Sequence, residues 1–325
     1  MSTRFSPRRA ASYACALALA MVAAPAPQSS RDAPLLVSHS RIAVHRDSNG
    51  MPKLGPRNEV QTSNWSGYAI ANFESGASYN QAQATWTVTS VSYTAPPPVC
   101  HTYKFGSFKY KFCSSSHPQW EYSSSWVGIG GYCEDAACSA VDNTLIQLGT
   151  EHDASSANTT EYYAWVEMLP NNPIIISPSY PHCTSLSCAY PVRPNDIITA
   201  SLQCTANCAP GANQTWLLQM NNQTQGWNFE QSVSYASTLL SAEWIEEAPS
   251  ASAGVLPLAN YGTANFDPTV NVEQVPNFAS GLTNAIQMVD PYGETSNPST
   301  ADAIDVFNTC WGNNPNSIAA CPQPQ

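Results

Sequence analysis

The run Ser241-Ala-Glu-Trp-Ile-Glu-Glu247 decides the fold class of this 325-residue chain. It has the length of a strand, and alternation with period two places Glu243, Ile245 and Glu247 on one face, whereas Glu246 lies on the other. Alternation of this kind is typical of a strand in a sheet and not of a helix.

Eight further runs of β-branched and aromatic residues have similar lengths, and Asn, Gly, Pro and Ser separate them. They are Ala82 to Val91, Ser124 to Ile129, Thr144 to Leu148, Glu161 to Met168, Asp196 to Cys204, Thr215 to Asn221, Gly226 to Ser234 and Ala303 to Cys310. No window of about a dozen residues carries a helical stripe. We therefore expect an all-β chain, a disulfide-stapled antiparallel β-sandwich of jelly-roll or concanavalin-like type, in a single domain over residues 59–325.

The first 26 residues have the pattern of an export signal. Arg4, Arg8 and Arg9 precede a short, Ala-rich apolar run from Ala10 to Ala24. This run is shorter than the roughly 20 apolar residues that cross a bilayer, and no later stretch is apolar enough. We expect residues 1–26 to be a signal peptide and the protein to be secreted, either extracellular or periplasmic.

Ten of the eleven cysteines lie beyond the predicted signal peptide, and an even number in an exported chain is typical of disulfides. The simplest connectivity joins neighbours along the chain: Cys100 with Cys113, Cys133 with Cys138, Cys183 with Cys188, Cys204 with Cys208, and Cys310 with Cys321. Zinc is an alternative for Cys204-x-x-x-Cys208, but no partner pair of Cys or His stands at the spacing of a metal site. The segment between Pro96 and Pro118 is predicted to be a long surface loop pinned by the first disulfide.

Charge divides the chain near residue 58. Residues 27–58 hold five basic residues against two acidic ones, whereas the chain from Glu59 onward holds 21 acidic residues against four basic ones, a formal balance of −17. Nucleic acid is an unsuitable partner for such a surface. At acid pH the carboxylates become neutral, and with few Lys and Arg the self-repulsion that drives acid unfolding stays small.

Residues 27–58 are interpreted as a basic leader or propeptide. Such a segment can lie on the acidic domain as an inhibitor and leave when the carboxylates protonate, which would make a pH-triggered zymogen. The alternative is a disordered linker without a regulatory role.

Several familiar catalytic patterns are absent from the sequence: Gly-x-Ser-x-Gly, His-Glu-x-x-His, the phosphate-binding Gly-x-x-x-x-Gly-Lys, and Asp-Thr-Gly or Asp-Ser-Gly. The six histidines occur in contexts typical of the leader or of loops, and we expect each of them to be solvated. They are His39, His45, His101, His117, His152 and His182.

Six segments between about residues 62 and 312 form the most informative pattern. They are Ser63-Asn-Trp-Ser-Gly67, Ser125-Trp-Val-Gly-Ile-Gly-Gly131, Leu145-Ile-Gln-Leu-Gly149, Tyr163-Ala-Trp-Val-Glu167, Ala242-Glu-Trp-Ile-Glu-Glu247 and Leu258-Ala-Asn-Tyr-Gly262. In content and order this set resembles the glutamic peptidase family, the eqolisins or G1/A4 peptidases. The resemblance implies a secreted acid endopeptidase that acts on polypeptides, needs no metal or organic cofactor, binds no membrane, and is a monomer.

The resemblance also implies the site residues. The family's catalytic glutamine falls on Gln147 and its catalytic glutamate on Glu247. Glu167 matches a position close to this pair, and Trp65 and Trp126 match tryptophans of the cleft, so all three are expected to support catalysis or bind substrate. Trp126 and Trp165 fit the core as well as the cleft.

These residue types suit peptide hydrolysis by direct attack of water. A carboxylate such as Glu247 can take the proton of the water and then give it to the leaving amine, while the Gln147 amide orients the water and donates an N–H to the oxyanion. Because a carboxylate with an ordinary pKa of about 4.3 is the titrating catalyst, activity is expected at acid pH.

The sequence departs from the family pattern at two positions. Gly130 replaces an Asp and Leu148 replaces a Thr, and we expect both to lie near the cleft and to affect substrate preference. Two other functions stay open: a glycoside hydrolase that uses Glu167 and Glu247 as its carboxylate pair, and a non-catalytic sandwich that binds carbohydrate or protein.

Overall fold

The computed structural model describes residues 36–95, 100–105, 108–113, 118–176, 189–271, 276, 278 and 285–324. The predicted signal peptide and the Cys183 and Cys188 pair lie outside these residues. The expected all-β class is confirmed, since the described residues form nineteen strands and one four-residue helix, α1 (Asn72–Ser75). No helix in these ranges is long and apolar enough to cross a membrane.

The strands follow one another along the chain with short connections. The first nine are β1 (Val60–Thr62), β2 (Trp65–Ala71), β3 (Gln81–Thr87), β4 (Cys100–Phe105), β5 (Phe108–Cys113), β6 (Trp120–Gly130), β7 (Leu145–Ser155), β8 (Thr160–Met168) and β9 (Ile174–Ile175). The others are β10 (Ile197–Ala206), β11 (Gln214–Asn222), β12 (Trp227–Tyr235), β13 (Ser241–Glu247), β14 (Ser250–Ala251), β15 (Gly254–Val255), β16 (Thr263–Val270), β17 (Ala285–Val289), β18 (Thr295–Pro298) and β19 (Phe307–Gly312).

Fifteen strands form one sheet in the order β12-β11-β10-β3-β16-β19-β18-β17-β2-β13-β6-β7-β8-β9, with β1 beside β17. Strand β1 pairs with β17 in parallel, whereas the ladders around the site, such as β6 with β7, are antiparallel. The sheet folds back on itself as a sandwich. Trp86 of β3 donates its indole N–H to Thr150 of β7 (3.0 Å), and Trp244 of β13 donates to the backbone oxygen of Gln83 on β3 (2.8 Å).

Apolar side chains fill the space between the two layers because alternate residues of each strand point inward. Strand β10 contributes Ile198, Ala200 and Leu202, all fully buried. From the facing layer, Val127 and Trp244 pack into the same cluster. The core therefore holds the sandwich together and leaves the other face of the β13-β6-β7-β8 layer for a different set of side chains.

That other face carries a second cluster with three buried tryptophans, Trp65, Trp126 and Trp165. Ile42, which lies in the predicted leader, packs into this cluster. Further leader contacts are the pairing of Val44 with Thr62 and of Ser38 with Ser250.

Residues 36–58 thus pack against the strand domain. Arg41 binds Asn143, and Arg46 donates to the backbone oxygen of Cys138. These two leader cations contact uncharged acceptors, whereas a third, Arg57, pairs with the Glu59 carboxylate at 2.6 Å. The expected boundary at residue 58 stays a prediction.

The structure contains the disulfides Cys133–Cys138, Cys204–Cys208 and Cys310–Cys321, and the bond at Cys204 leaves no role for zinc there. Cys100 and Cys113 lie opposite each other in backbone register, and their side chains are outside the described residues. The prediction of a loop between Pro96 and Pro118 is wrong in its middle, because β4 and β5 form a hairpin.

Candidate active site

Four neighbouring strands, β13, β6, β7 and β8, carry the predicted site residues. Their register places Gln147 of β7 opposite Glu167 of β8 and opposite Gly128 of β6. Glu247 of β13 lies four residues further along β6, opposite Ser124. Because side chains alternate across a strand, Gln147, Glu167 and Glu247 share one face of the layer.

Glu247 is fully buried, and each of its carboxylate oxygens has a partner. The indole N–H of Trp126 donates to Oε2 at 2.8 Å, and the backbone N–H of Ser40 donates to Oε1 at 3.1 Å. Burial raises the pKa of Glu247 well above its ordinary value, and the charge of Glu167 raises it further. Burial therefore favours the protonated form of this carboxyl group.

The Gln147 side chain is also buried and faces the leader. Its amide nitrogen donates to the backbone oxygen of His39 at 2.7 Å and lies 3.4 Å from Oε2 of Glu167. Its Oε1 atom has no hydrogen-bond partner among the described residues. One end of the amide therefore holds a peptide carbonyl, while the other end is available to orient a small polar molecule.

Glu167 binds the leader on both of its oxygens. The Ser38 hydroxyl donates to Oε1 at 2.7 Å, and the backbone N–H of His39 donates to Oε2 at 2.8 Å. Burial raises the pKa of Glu167 to about 7, against the lowering effect of these two hydrogen bonds.

Three tryptophans surround the leader at residues 39 and 40. The indole N–H of Trp65 donates to the backbone oxygen of Ser40 at 2.9 Å. Trp65 also meets Trp126 edge to face, with ring centroids 4.9 Å apart. Trp165, which the sequence left open between core and cleft, stacks on the imidazole of His39 at 3.5 Å between centroids and 5° between planes.

His39 fills the centre of the site, so the expectation that it is solvated is wrong. Its ring is fully buried, with Nδ1 3.3 Å from Glu247 Oε2 and Nε2 3.5 Å from Glu151 Oε2. Burial lowers the pKa of the imidazole well below its ordinary value. His152 is buried as well, on β7 and next to Thr150.

Two acidic residues on this face were not predicted from the sequence. Glu151 and Asp153 follow Gln147 at even spacing along β7 and are fully buried. Burial raises the pKa of Glu151 well above its ordinary value, and the charge of Asp153 adds to the shift. Alternation from Gln147 would have found both, but the predicted strand stopped at Leu148.

The two departures from the family pattern have different structural reasons. Gly130 has φ of +93°, and a Cβ there would collide with the backbone oxygen of Thr144. The carboxylate of Asp142 lies 3.1 Å from that Cβ position, so an acidic group already occupies the neighbourhood. Leu148 is fully buried between the layers, and the expectation that it lies near the cleft is wrong because it faces away from Gln147.

The described residues contain no group of three or more His, Cys, Asp or Glu side chains arranged to hold a metal ion. The side chains of the strands at this face offer carboxyl groups, one carboxamide and indole N–H donors.

Comparison with known proteins gives two findings. The model of the Peptidase A4 family matches residues 63–305. A crystal structure of Scytalido-glutamic peptidase with a peptide-based transition state analog superposes with a TM-score of 0.51 at 18% identity, covering 77% of this chain and 98% of that chain. That likeness shows the shared fold. No curated protein matches the chain significantly.

Proposed function

The chain belongs to the peptidase A4 family, the glutamic peptidases, and we propose that it is an exported acid endopeptidase in which Gln147 and Glu247 are the catalytic pair. Hydrolysis of peptide bonds in polypeptide substrates is the activity of the family. Membership of a peptidase family favours this function over a glycoside hydrolase or a binding sandwich.

One observation supports the catalytic pair above all. Gln147 and Glu247 contact the two ends of a single peptide unit, its carbonyl oxygen at 2.7 Å and its N–H at 3.1 Å. A peptide hydrolase needs a donor at the carbonyl oxygen, where negative charge develops, and an acid at the nitrogen that leaves.

The proposed reaction uses these contacts in sequence. Oε1 of Gln147 and the Glu247 carboxylate orient a water molecule, and Glu247 takes its proton as oxygen attacks the carbonyl carbon. The Gln147 N–H stabilises the oxyanion. Glu247 then gives the proton to the amine as the C–N bond breaks, while Trp126 holds its other oxygen in place.

The comparison that tests this proposal is Glu247→Gln against Glu246→Gln. Both glutamates are fully buried in β13, but Glu246 faces the other side and accepts from Ser125 at 2.6 Å. With both variants produced without residues 1–39, we expect Glu247→Gln to lower kcat/KM on an unfolded protein substrate at acid pH roughly 100- to 10,000-fold. Glu246→Gln keeps activity within a few-fold, and equal losses in both variants would contradict the assignment.

The leader is the second part of the proposal: residues 36–40 act as an intramolecular inhibitor. Ser38, His39 and Ser40 occupy the hydrogen-bonding groups that a substrate backbone needs. A synthetic peptide of residues 34–39 should inhibit the enzyme produced without residues 1–39 competitively, and the His39→Ala peptide should inhibit about tenfold less because the stacking on Trp165 is lost.

Export is the third part, supported by the signal-like first 26 residues and by three disulfides, which persist in oxidising compartments. Mass spectrometry of culture medium or periplasm should find the protein without residues 1–26. We also propose that the enzyme is a monomer, which light scattering of the purified protein would check.

A further inference from the structure

The peptide bond between His39 and Ser40 lies where a substrate bond would be cut. Its carbonyl oxygen accepts from Gln147 at 2.7 Å, and its nitrogen donates to Glu247 at 3.1 Å. The preceding N–H, that of His39, donates to Glu167 at 2.8 Å. An inhibitory segment can block a cleft in many orientations, but this one presents consecutive polar groups to the catalytic pair in the order that hydrolysis requires.

The chain is also held on both sides of that bond. Upstream, Ser38 exchanges two backbone hydrogen bonds with Ser250, each 2.8 Å long. Downstream, the oxygen of Ser40 accepts from Trp65 at 2.9 Å, and Asn64 accepts from the backbone of Ala43 at 2.8 Å. Contacts on both sides hold the His39 carbonyl group in one position. A fixed position of the reacting group is a requirement for efficient hydrolysis.

The side chain of His39 is fully buried between one indole ring and two carboxyl groups. Trp165 stacks on one face of the ring at 3.5 Å between centroids, and the two ring nitrogens lie 3.3 Å and 3.5 Å from oxygens of Glu247 and Glu151. A flat ring with nitrogen at both edges therefore fills the subsite on the carbonyl side of the bond.

We propose that the active site cuts its own chain between His39 and Ser40, so that Ser40 becomes the N-terminus of the processed enzyme. This inference rests on the proposed function of Gln147 and Glu247. It adds a specific processing bond and a subsite that accepts planar side chains.

The reaction consumes one water molecule. Glu247 takes a proton from the water as its oxygen bonds to the carbonyl carbon of His39, and the resulting oxyanion is held by the Gln147 amide. The C–N bond then breaks and the electron pair stays on the Ser40 nitrogen, which receives the proton from Glu247. The products are a chain that ends in the His39 carboxyl group and a chain that begins with the Ser40 amine.

The structure indicates what stays behind after the cut. Ile42 is buried against the tryptophan cluster, His45 binds the backbone of Gln61 at 2.8 Å, and its ring binds the backbone oxygen of Val289 at 2.8 Å. Residues 41–58 are therefore fastened to the domain by contacts that the cut does not touch. The processed enzyme should keep them, in contrast to the boundary at residue 58 that composition predicts.

The test is a time course of the purified full chain after transfer from near-neutral to acid pH, followed by N-terminal sequencing and intact mass. Hydrolysis of an unfolded protein is measured in the same samples. We expect Ser40 to appear as the new N-terminus with a first-order rate that is independent of protein concentration over a 100-fold range, and we expect Glu247→Gln to stay uncut.

Two histidine variants separate the substrate role of His39 from leader packing in general. His39→Ala should slow the cut about tenfold, as loss of the stacked ring weakens binding. His45→Ala, in the same segment but outside the site, should leave the rate unchanged. Equal rates for both variants would overturn the proposed subsite.

The outcomes also separate this inference from the proposed function. A wild type that digests the unfolded substrate but begins at a residue other than Ser40 overturns the inference and leaves the peptidase intact. A wild type that neither digests the substrate nor cuts itself contradicts both.

Discussion

Burial is the main reason that the pKa of Glu247 is raised, and the charge of Glu167 raises it further. Glu167→Gln keeps the shape and removes that charge, so the pKa of Glu247 should fall. A base that ionises at lower pH works at lower pH. The acid limb of the kcat/KM profile should therefore shift to lower pH. An acid limb that shifts to higher pH, or stays in place, would show that the two groups are not coupled as the structure indicates.

Gly130 illustrates how one residue can depart from a family pattern for a steric reason. Restoring the acidic residue by Gly130→Asp places a Cβ against the oxygen of Thr144 at φ of +93°. We expect a loss of stability of about 1–3 kcal/mol from the backbone conformation alone, with a further loss from the contact. The loss of stability is measured by thermal unfolding of the variant and the wild type.

The matched control for Gly130→Asp is Gly226→Asp. Gly226 also has positive φ, +73°, but no atom lies within 4 Å of an added Cβ. Its variant should lose the backbone part only. If Gly130→Asp unfolds at the same temperature as the wild type, the acidic residue is tolerated and the steric explanation fails.

Strands show why part of this site could be predicted from sequence. The run Ser241–Glu247 alternates along its length, and β13 has the same bounds. Strand β7, which carries Gln147, was expected to end at Leu148 but continues to Ser155. Residues such as Glu151 are polar yet fully buried, because tertiary contacts and not local propensity place them in the sheet.

The burial of the leader residue His39 in the site was not predicted from the sequence. Nothing in the local sequence of His39 marks it as buried, since its burial depends on Glu167, Glu247 and Trp165, all more than a hundred residues away. Composition alone suggested attraction between unlike charges. One such pair exists, Arg57 with Glu59 at 2.6 Å, but at the site the segment binds through backbone groups, the Ser38 hydroxyl and one stacked ring.

The hairpin of β4 and β5 is an element that the site does not use. Its two strands pair with each other in a separate sheet, and Tyr103 and Tyr110 are 61% and 65% exposed. Replacing residues 101–112 by Asn-Gly joins two directly opposed positions with a tight turn. We expect the melting temperature to change by less than about 2 °C and kcat/KM to stay within twofold, whereas a large loss of activity would give the hairpin a role in substrate capture.

At the scale of the whole molecule, buried carboxyl groups set the pH range of stability. Burial raises the pKa of Glu121 to about 8, that of Glu246 to about 8 and that of Glu167 to about 7, from an ordinary value of 4.5. The folded state thus binds more protons than the unfolded state above pH 4.5. The contribution of these three groups to the free energy of unfolding is fully present below that pH and is lost as the pH rises towards 8.

Thermal unfolding between pH 3 and pH 8 tests this sign, with the Gln147→Ala variant used to prevent self-digestion. Burial lowers the pKa of His39 and His152, so these two groups are neutral in both states above pH 6.5 and leave the trend to the carboxyl groups. Between pH 6.5 and pH 8 the melting temperature should fall as the pH rises, and adding Glu246→Gln should make the decline shallower because one of the three groups no longer ionises. A melting temperature that rises over this range would contradict the assigned shifts. Stability at acid pH, which four basic residues after position 58 also favour, would suit the proposed acid peptidase.

The most direct test of the central claim, that Gln147 and Glu247 hydrolyse peptide bonds, is a comparison of wild type with Gln147→Ala, both produced without residues 1–39, on one unfolded protein substrate at acid pH. Loss of the amide removes the donor to the oxyanion and should lower kcat about 100- to 1,000-fold with the fold intact by circular dichroism. Retention of full hydrolysis by Gln147→Ala, or absence of hydrolysis by the wild type, would contradict the account.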